Sequence, residues 1–243
     1  MKELKEVLVR LWWFAKSWKY PYIYNLKLEE KESYFFINSP IEEFRIKDWG
    51  GEKHFVRYLI NILKKNEVFF DIGASVGFIS VLAALKLENG TVFSFEPDRK
   101  IVNRLKKNIK LNKLKNLKVF PIALGEGKGI VRLYTEGSDA NSPSIRPVQG
   151  FKKFVRVSIN TVDELIIKGH VTAPTSVKID VEGAEMLVLR GMSRLLSSKK
   201  KPKNIFIEVH QDFLRQFDSD KDEVLAFLRE REYKPLLKIE RSN

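Results

Sequence analysis

The chain has 243 residues, of which 44% are hydrophobic, and it carries a formal net charge of +13 without any cysteine. This composition supports one α/β domain with additions and excludes disulfides, thiolate metal sites and cysteine nucleophiles. No apolar run reaches the length of about 18 residues that a membrane span needs. The positive charge favours an anionic partner, such as nucleic acid, a phosphorylated substrate or an acidic membrane surface. It is equally typical of the charged surface of a heat-adapted protein.

Residues 1–66 differ in pattern from the rest of the chain and are interpreted as an N-terminal helical and β extension. Apolar residues at helical spacing over residues 4–18 predict an amphipathic helix. Such a helix packs on its own domain or on a second subunit, so a dimer is one expectation. Its tryptophans would also suit a peripheral membrane contact. The N-terminus is a poor signal peptide, which leads us to expect a cytoplasmic protein.

After the first helix, YIYNLKLEEKESYFFI predicts two short strands around a charged turn, and a helix is expected from Glu52 to Leu63. Strands and helices then alternate over residues 67–243, which are interpreted as the main domain. The predicted strands are Val68 to Phe70, TVFSFE, LKVFPIAL, SVKID, NIFIEV and YKPLLKI, and the predicted helices are Phe78 to Leu85, residues 98–112, one from near Ala184, and Asp222 to Arg231. This alternation predicts an α/β fold with a mostly parallel sheet and helices on both faces.

The stretch VFFDIGASVGFIS places an acid and two glycines at the carboxyl end of the first parallel strand. Ligands of parallel sheets bind at such ends, and Gly73 and Gly77 allow a tight turn close to a ligand. The spacing D-x-G-x-x-x-G departs from the dinucleotide fingerprint, and Asp71 would repel a pyrophosphate. Glu96 ends the second strand, where an acid accepts hydrogen bonds from ribose hydroxyls. Together these acids favour a cationic nucleoside, S-adenosylmethionine.

Five segments, in a characteristic order and spacing, carry a resemblance to a known family. They are FFDIGASVGFISVLAA, GTVFSFEPD, LKKNIKLNKLKNLKVFPIALGEGKG, SVKIDVEGAEMLVLRGMSRLL and IFIEVH, within residues 67–210. The chain resembles the FkbM family of S-adenosylmethionine-dependent methyltransferases, and KIDVEGAE is its most characteristic block. The resemblance implies a Rossmann-like class I methyltransferase fold with a seven-stranded sheet whose last strand is antiparallel. REREYKPLLKI would supply that strand.

The resemblance also implies cofactor roles for individual residues. Asp71, Gly73, Ala74, Ser75 and Gly77 would line the methionine end of S-adenosylmethionine with Phe78 against it, Glu96 would hold the ribose, Pro97 and Asp98 would shape the adenine side, Ala123 and Leu124 would flank adenine, and Asp180 would lie beside the transferring methyl group. Members of the family are best known for O-methylation of hydroxyls on sugars and natural products.

The block KIDVEGAE and the strand end IEVH predict the catalytic groups. Lys178 and Asp180 share one face of a strand, and Glu208 and His210 share one face of the next, because side chains alternate along a strand. Asp180, Glu182, Glu208 and His210 are expected to converge on the acceptor, because neighbouring parallel strands end at the same edge of a sheet. Clustered carboxylates raise one another's pKa, so Asp180 or Glu182 is the predicted general base, with His210 as the second choice.

Other interpretations of these charged residues stay open. Glu182 and Glu185 could cap the N-terminus of a helix, and Lys178 could form a structural ion pair with a carboxylate. Asp180 and its neighbouring carboxylates could hold a hard divalent metal such as magnesium, which prefers oxygen ligands. We expect the site to work without a metal.

The expected acceptor is a hydroxyl of a sugar, a glycan or another small or lipid-linked molecule. Nine lysine or arginine residues between Arg99 and Lys118, and the KKKPK cluster at residues 199–203, could instead hold phosphates, so RNA methylation is one alternative. Methylation of a nucleic-acid base is disfavoured, because DVEG replaces the NPPY block of many base N-methyltransferases. A noncatalytic module that binds S-adenosylmethionine or RNA is the other alternative. The polar segment from Gly125 to Phe154 predicts a loop or lid over the site.

Overall fold

The computed structural model describes residues 19–136, 141–146 and 153–237. The strands are β1 (Tyr22–Leu28), β2 (Lys31–Ile37), β3 (Val68–Ile72), β4 (Thr91–Phe95), β5 (Leu117–Phe120), β6 (Ala123–Leu124), β7 (Gly129–Glu136), β8 (Asn141–Ser144), β9 (Phe154–Asn160), β10 (Ser176–Ile179) and β11 (Asn204–Ile207). The α-helices are α1 (Pro40–Lys47), α2 (Lys53–Ile62), α3 (Phe78–Lys86), α4 (Arg99–Leu111), α5 (Val162–Ile167), α6 (Glu185–Arg190), α7 (Ser193–Leu196), α8 (Gln211–Leu214) and α9 (Lys221–Arg229), and 3-10 turns lie at Trp49–Gly51 and Arg215–Phe217. The predicted helix over residues 4–18 lies outside the described residues, so the expectations of a dimer or a membrane contact remain predictions.

The central sheet has five parallel strands in the order β11-β10-β3-β4-β5. Its strand order reverses between β3 and β10, which creates the switch point where such sheets bind ligands. The predicted α/β fold with a parallel sheet is confirmed, but the predicted count of seven strands is wrong for the described residues. Residues 233–237 form no strand, and the rest of the predicted last strand lies outside the described residues. Pro235 lacks the N–H that a strand ladder uses, which disfavours a strand at this position.

Hydrophobic side chains on the two faces of the central sheet belong to two separate cores. Along β3, Phe69 packs in a core with residues of α2 and α3, whereas Phe70 and Ile72 pack in a core with residues of α5, α6 and α7. All three side chains are at most 1% exposed. This alternation confirms that helices cover both faces of the sheet.

The segment predicted to be a loop or lid contains much of a second sheet, so that prediction is wrong for the described part. Four strands pair in the order β6-β9-β7-β8. The antiparallel register of β7 with β9 runs from Gly129 opposite Ile159 to Tyr134 opposite Phe154. Leu133 of β7 is buried and packs with Val157 of β9 in a small third core. Residues 137–140 and 147–152 lie outside the described residues.

The predicted hairpin before the main domain is confirmed as β1 and β2, which pair antiparallel. Phe35 and Ile37 of β2 are fully buried, and the ring of Phe35 lies 5.5 Å from that of Phe78. Side-chain oxygens of Asn108 on α4 and of Asn112, which follows this helix, accept from backbone N–H groups of β2 at 2.7 and 2.8 Å. The hairpin therefore packs directly on the elements that come after β3 and β4, and the division at residue 66 stays a prediction. No helix among the described residues is long and apolar enough to cross a membrane.

Candidate active site

A cleft of about 460 Å³ opens at the carboxyl ends of β3, β4 and β10. Of the predicted site residues, Asp71, Gly73, Ala74, Ser75, Phe78, Glu96, Pro97, Ala123, Leu124, Lys178, Asp180 and Glu182 line it. Gly77, Asp98, Glu208 and His210 are not part of its lining. Gly77 precedes α3 and Asp98 caps α4, where its side chain accepts from the Lys100 N–H. The volume suits a small molecule and lies within the range of about 300–1,000 Å³ common for ligand sites.

The turn after β3 is built around backbone conformations that favour glycine. Gly73 has φ 78°, and a Cβ atom there would lie 1.8 Å from the backbone oxygen of Asp180. The N–H groups of Gly73 and Ala74 both donate to the carbonyl of Phe95 at 3.0 Å. The turn is thus held against the ends of β4 and β10, and side-chain bulk at Gly73 would break that contact.

The carboxylate of Asp71 forms an ion pair with a lysine of the protein itself. Asp71 lies in register with Lys178 of β10 and Ser94 of β4, and it is 0% exposed. The Lys178 ammonium lies 3.3 Å from Asp71 Oδ1 and 3.2 Å from Asp180 Oδ2, and the hydroxyl of Ser80 donates to Asp71 Oδ2 at 2.5 Å. Burial lowers the pKa of Lys178, but the charges of Asp180 and Asp71 outweigh burial and raise it above its usual value. A buried ion-pair row therefore ties β10 to β3 beneath the cleft.

Glu96 is buried at the cleft with both carboxylate oxygens fixed. Oε1 accepts from the Asp98 N–H at 2.9 Å, and Oε2 accepts from the Ser75 N–H at 3.0 Å. Burial raises the pKa of Glu96 to about 7, against the opposing effect of these two hydrogen bonds. Each oxygen keeps further acceptor capacity, which is what vicinal hydroxyls of a ribose require.

One part of the cleft comes from residues that the sequence reasoning missed. Ile41, Phe44 and Arg45 of α1, with Trp49 and Glu52 after it, line the cleft beside the turn after β3. The ring of Trp49 meets that of Phe78 edge-on at 5.5 Å. The available signal was Ser39 followed three residues later by Glu42, which predicts the start of a helix; Ser39 does cap α1 by accepting from the Glu42 N–H.

His210 lies behind the cleft wall among four carboxylates. Its Nδ1 is 2.8 Å from Glu185 Oε1, and its Nε2 is 3.2 Å from Glu208, 3.4 Å from Glu182 and 3.8 Å from Asp180. Burial lowers the pKa of His210, but hydrogen bonds to Glu185 and Glu208 and the charges of Glu182 and Asp180 outweigh it and raise the pKa to about 11. The imidazole therefore carries a proton at neutral pH. The strand ends lie close together as expected, but Glu208 and His210 do not line the cleft, and the convergence of these groups on the acceptor stays a prediction.

Asp180, Glu182 and His210 are also the described residues that could hold a metal ion. One ligand atom from each lies within 4.8 Å of the others. Carboxylate oxygens with one imidazole suit several divalent ions.

We expect protein stability to fall as the pH rises above neutrality because of His210. Its pKa rises from 6.5 to about 11 on folding. Its contribution to the free energy of unfolding is therefore complete below pH 6.5 and is lost as the pH approaches 11. Urea titrations between about pH 7 and pH 9 in metal-free buffer should show a fall of up to about 1.4 kcal/mol per pH unit. The His210→Gln variant should give a flat profile, and an equally steep profile in that variant would assign the fall to other groups.

The parallel sheet, with a turn after β3, a buried acid at the end of β4 and carboxylates at the end of β10, has the arrangement expected of a class I methyltransferase. Comparisons with known proteins agree: the model of the "Methyltransferase FkbM domain" matches residues 71–235. The chain belongs to the FkbM methyltransferase family, and S-adenosylmethionine is its methyl donor.

The individual proteins that the chain resembles share 30% or less of its sequence over the aligned residues. Over 181 residues the chain is 30% identical to the hexuronic acid methyltransferase AglP of Haloferax volcanii, covering 72% of this chain and 70% of that protein. Among solved structures, precorrin-6Y C5,15-methyltransferase from Geobacter metallireducens is 15% identical, with a TM-score of 0.46 over 75% of this chain and 72% of that one. TYW2 of M. jannaschii is 23% identical, with a TM-score of 0.33 over 40% and 42% of the two chains. These structural likenesses are too distant to bear on function.

Proposed function

We propose that this methyltransferase methylates a hydroxyl of a sugar or glycan. The observation that carries the proposal is the pair of carboxylates, Asp180 and Glu182, at the end of β10 on the wall of the cofactor cleft. A hydroxyl is a poor nucleophile until its proton begins to leave, so such an acceptor needs a base at this place. The relationship to a hexuronic acid methyltransferase supports a sugar as the molecule that carries the hydroxyl.

The cofactor is held, in this proposal, by the turn after β3 and the end of β4. S-adenosylmethionine supplies an activated methyl group on a sulfonium. Glu96 accepts hydrogen bonds from the ribose hydroxyls, and the turn residues Gly73, Ala74 and Ser75, which line the cleft, contact the methionine end. Ala123 and Leu124 of β6, both at most 7% exposed, offer an apolar surface to adenine.

Within the carboxylate pair, Glu182 is the proposed base and Asp180 orients the acceptor. Burial raises the pKa of Asp180, but the charges of Lys178 and His210 outweigh it and lower the pKa, which weakens Asp180 as a base. Glu182 lines the cleft with its backbone at φ 51°, a strained conformation of the kind that clusters at functional sites. His210, which is protonated at neutral pH, holds the carboxylates together instead of accepting the proton.

Methyl-labelled S-adenosylmethionine incubated with extract of the source cells tests the acceptor class. We expect label that survives ribonuclease, travels with glycan or lipid-linked sugar, and resists mild alkali, because a methyl ether is stable to alkali. Label lost with the RNA would overturn the sugar assignment. Alkali-labile label on a sugar would identify a carboxylate acceptor, which needs no base, and would overturn the role of Glu182. A reaction with the Asp180→Ala variant serves as the background.

A further inference from the structure

Helix α4 and the segment after it carry a dense group of exposed cations. Residues 99–118 contain nine lysines and arginines and no acid, and Arg104 alone pairs with a carboxylate of the described residues, that of Glu42. The other eight are exposed and form no ion pair with the described residues: Arg99, Lys100, Lys106, Lys107, Lys110, Lys113, Lys115 and Lys118. We call these eight residues the basic face. Lys106 and Lys110 lie one helical turn apart and repel each other, a cost that a bound anion would remove.

Exposed apolar side chains adjoin the basic face on the hairpin of β1 and β2. The Lys107 ammonium lies 4.3 Å from the ring centre of Phe36 on β2. Ile23 of β1 is in register with Phe36 and is 56% exposed. Tyr34 is 37% exposed, and its backbone N–H donates to the side chain of Asn112, directly after α4. Tyr34 and Phe36 share one face of β2, because side chains alternate along a strand. Cationic and apolar groups therefore form one continuous surface.

This surface is separate from the cleft. No residue of the basic face lines the cleft, and Ile101, which is the α4 residue in the cleft lining, is apolar. Acidic side chains outnumber basic ones in that lining. A chain of phosphates that entered the cleft would meet repulsion from these acids. The basic face therefore suits an anionic partner that stays outside the active site.

We propose that the basic face and the outer side of the β1–β2 hairpin dock on a membrane surface that contains anionic lipids. Clusters of about four to eight lysines or arginines on a helix are typical of binding to anionic headgroups. Ile23 and Tyr34 would enter the boundary between headgroups and acyl chains, where apolar and aromatic side chains are favoured. The proposal rests on this surface and not on the identity of the methyl acceptor.

Nucleic acid is the less suitable partner for the same surface. Seven of the eight cations are lysines, which lack the planar fork with which arginine binds a phosphate. Single-stranded nucleic acid also needs open aromatic rings on which its bases stack. The ring of Phe36 lies beneath the Lys107 ammonium, and the most exposed apolar side chain beside it is Ile23, which has no ring.

Sedimentation with lipid vesicles tests the docking surface. We expect the full chain to bind vesicles of equal parts phosphatidylcholine and phosphatidylglycerol, to ignore vesicles of phosphatidylcholine alone, and to be released by high salt, which screens exposed charges. The triple variant Lys100→Gln, Lys106→Gln and Lys110→Gln should bind the anionic vesicles about 100-fold more weakly, since each lysine near the surface contributes about equally. Ile23→Ser should weaken binding about tenfold, because it removes apolar area that would enter the lipid.

The matched control is the triple variant Lys199→Gln, Lys200→Gln and Lys203→Gln, which removes the same charge. These lysines are exposed and precede β11, at the opposite edge of the central sheet from β5. The control should bind vesicles as the wild type does. Equal losses in the two triple variants would mean that net charge alone drives binding, and they would overturn the docking surface.

Two further results would also overturn the proposal. One is a wild type that does not bind the anionic vesicles, or a triple variant in α4 that binds them unchanged. The other is filter binding to oligouridine that only the α4 variant loses, without vesicle binding, which would assign the basic face to nucleic acid. Circular dichroism checks folding. If the triple variant fails to fold, the single variant Lys106→Gln should still weaken vesicle binding about fivefold.

Discussion

Replacing Lys178 by methionine is expected to lower the free energy of unfolding by about 3–5 kcal/mol. The substitution keeps an unbranched side chain of similar length in the same space, so it creates little cavity. It leaves Asp71, which is 0% exposed, without the cation that lies 3.3 Å away. A buried carboxylate without its partner bears the full cost of desolvation, and breaking such a pair costs far more than breaking one at the surface.

Urea denaturation at neutral pH measures this loss, with Lys168→Met as the matched control. Lys168 pairs with Glu164 at 2.7 Å, but both side chains are more than a third exposed, at 46% and 35%. The control should change stability by less than about 1 kcal/mol. A similarly small effect of Lys178→Met would show that water or relaxation screens Asp71, and it would contradict the buried ion-pair row.

The strand ends of the candidate site can be predicted from the sequence, because the alternation of side chains along a strand and the parallel arrangement of the strands identify them. Alternation puts Lys178 and Asp180 on one face of β10, and the parallel arrangement then brings Asp180, Glu182, Glu208 and His210 to one edge. The distances of 3.2–3.8 Å from the Nε2 of His210 to three of these carboxylates agree with that reasoning. The glycines Gly73 and Gly77, which favour backbone conformations with positive φ, likewise indicate the turn after β3 in the sequence.

Long-range pairing is not accessible in the same way. The strand register that places Lys178 beside Asp71 joins residues more than a hundred positions apart. The sequence alone therefore suggests that Asp71 faces the positive charge of the cofactor. In the structure, the cation beside Asp71 is the ammonium of Lys178. The strand β7 pairs with β9 across a polar segment whose composition indicates only a loop. Arg45 is not identified from sequence because no motif marks a single arginine on a short helix, and only tertiary packing brings it to the cleft.

Replacing Glu182 by glutamine is expected to lower kcat by about a hundredfold to ten thousandfold, the usual contribution of a positioned general base. Glutamine keeps the size of the side chain and can still hydrogen-bond, but it cannot take the acceptor's proton. Asp180→Ala should abolish turnover, because it removes both the group proposed to orient the acceptor and one partner of Lys178. Single-turnover methyl transfer, with S-adenosylmethionine binding measured in parallel, separates loss of chemistry from loss of cofactor.

The comparison of Glu182→Gln with Asp180→Asn decides which carboxylate is the base. If Glu182 takes the proton, kcat of the Glu182→Gln variant no longer depends on the pH range in which Glu182 ionises in the wild type. The Asp180→Asn variant keeps that pH dependence, with a lower kcat. Wild-type kcat in Glu182→Gln together with a pH-independent remnant in Asp180→Asn would transfer the role to Asp180. Glu126→Gln is the control, because Glu126 is 52% exposed and pairs with Arg190 at the surface. Its kcat should match the wild type, since a surface charge change leaves the cleft and its two carboxylates unaltered.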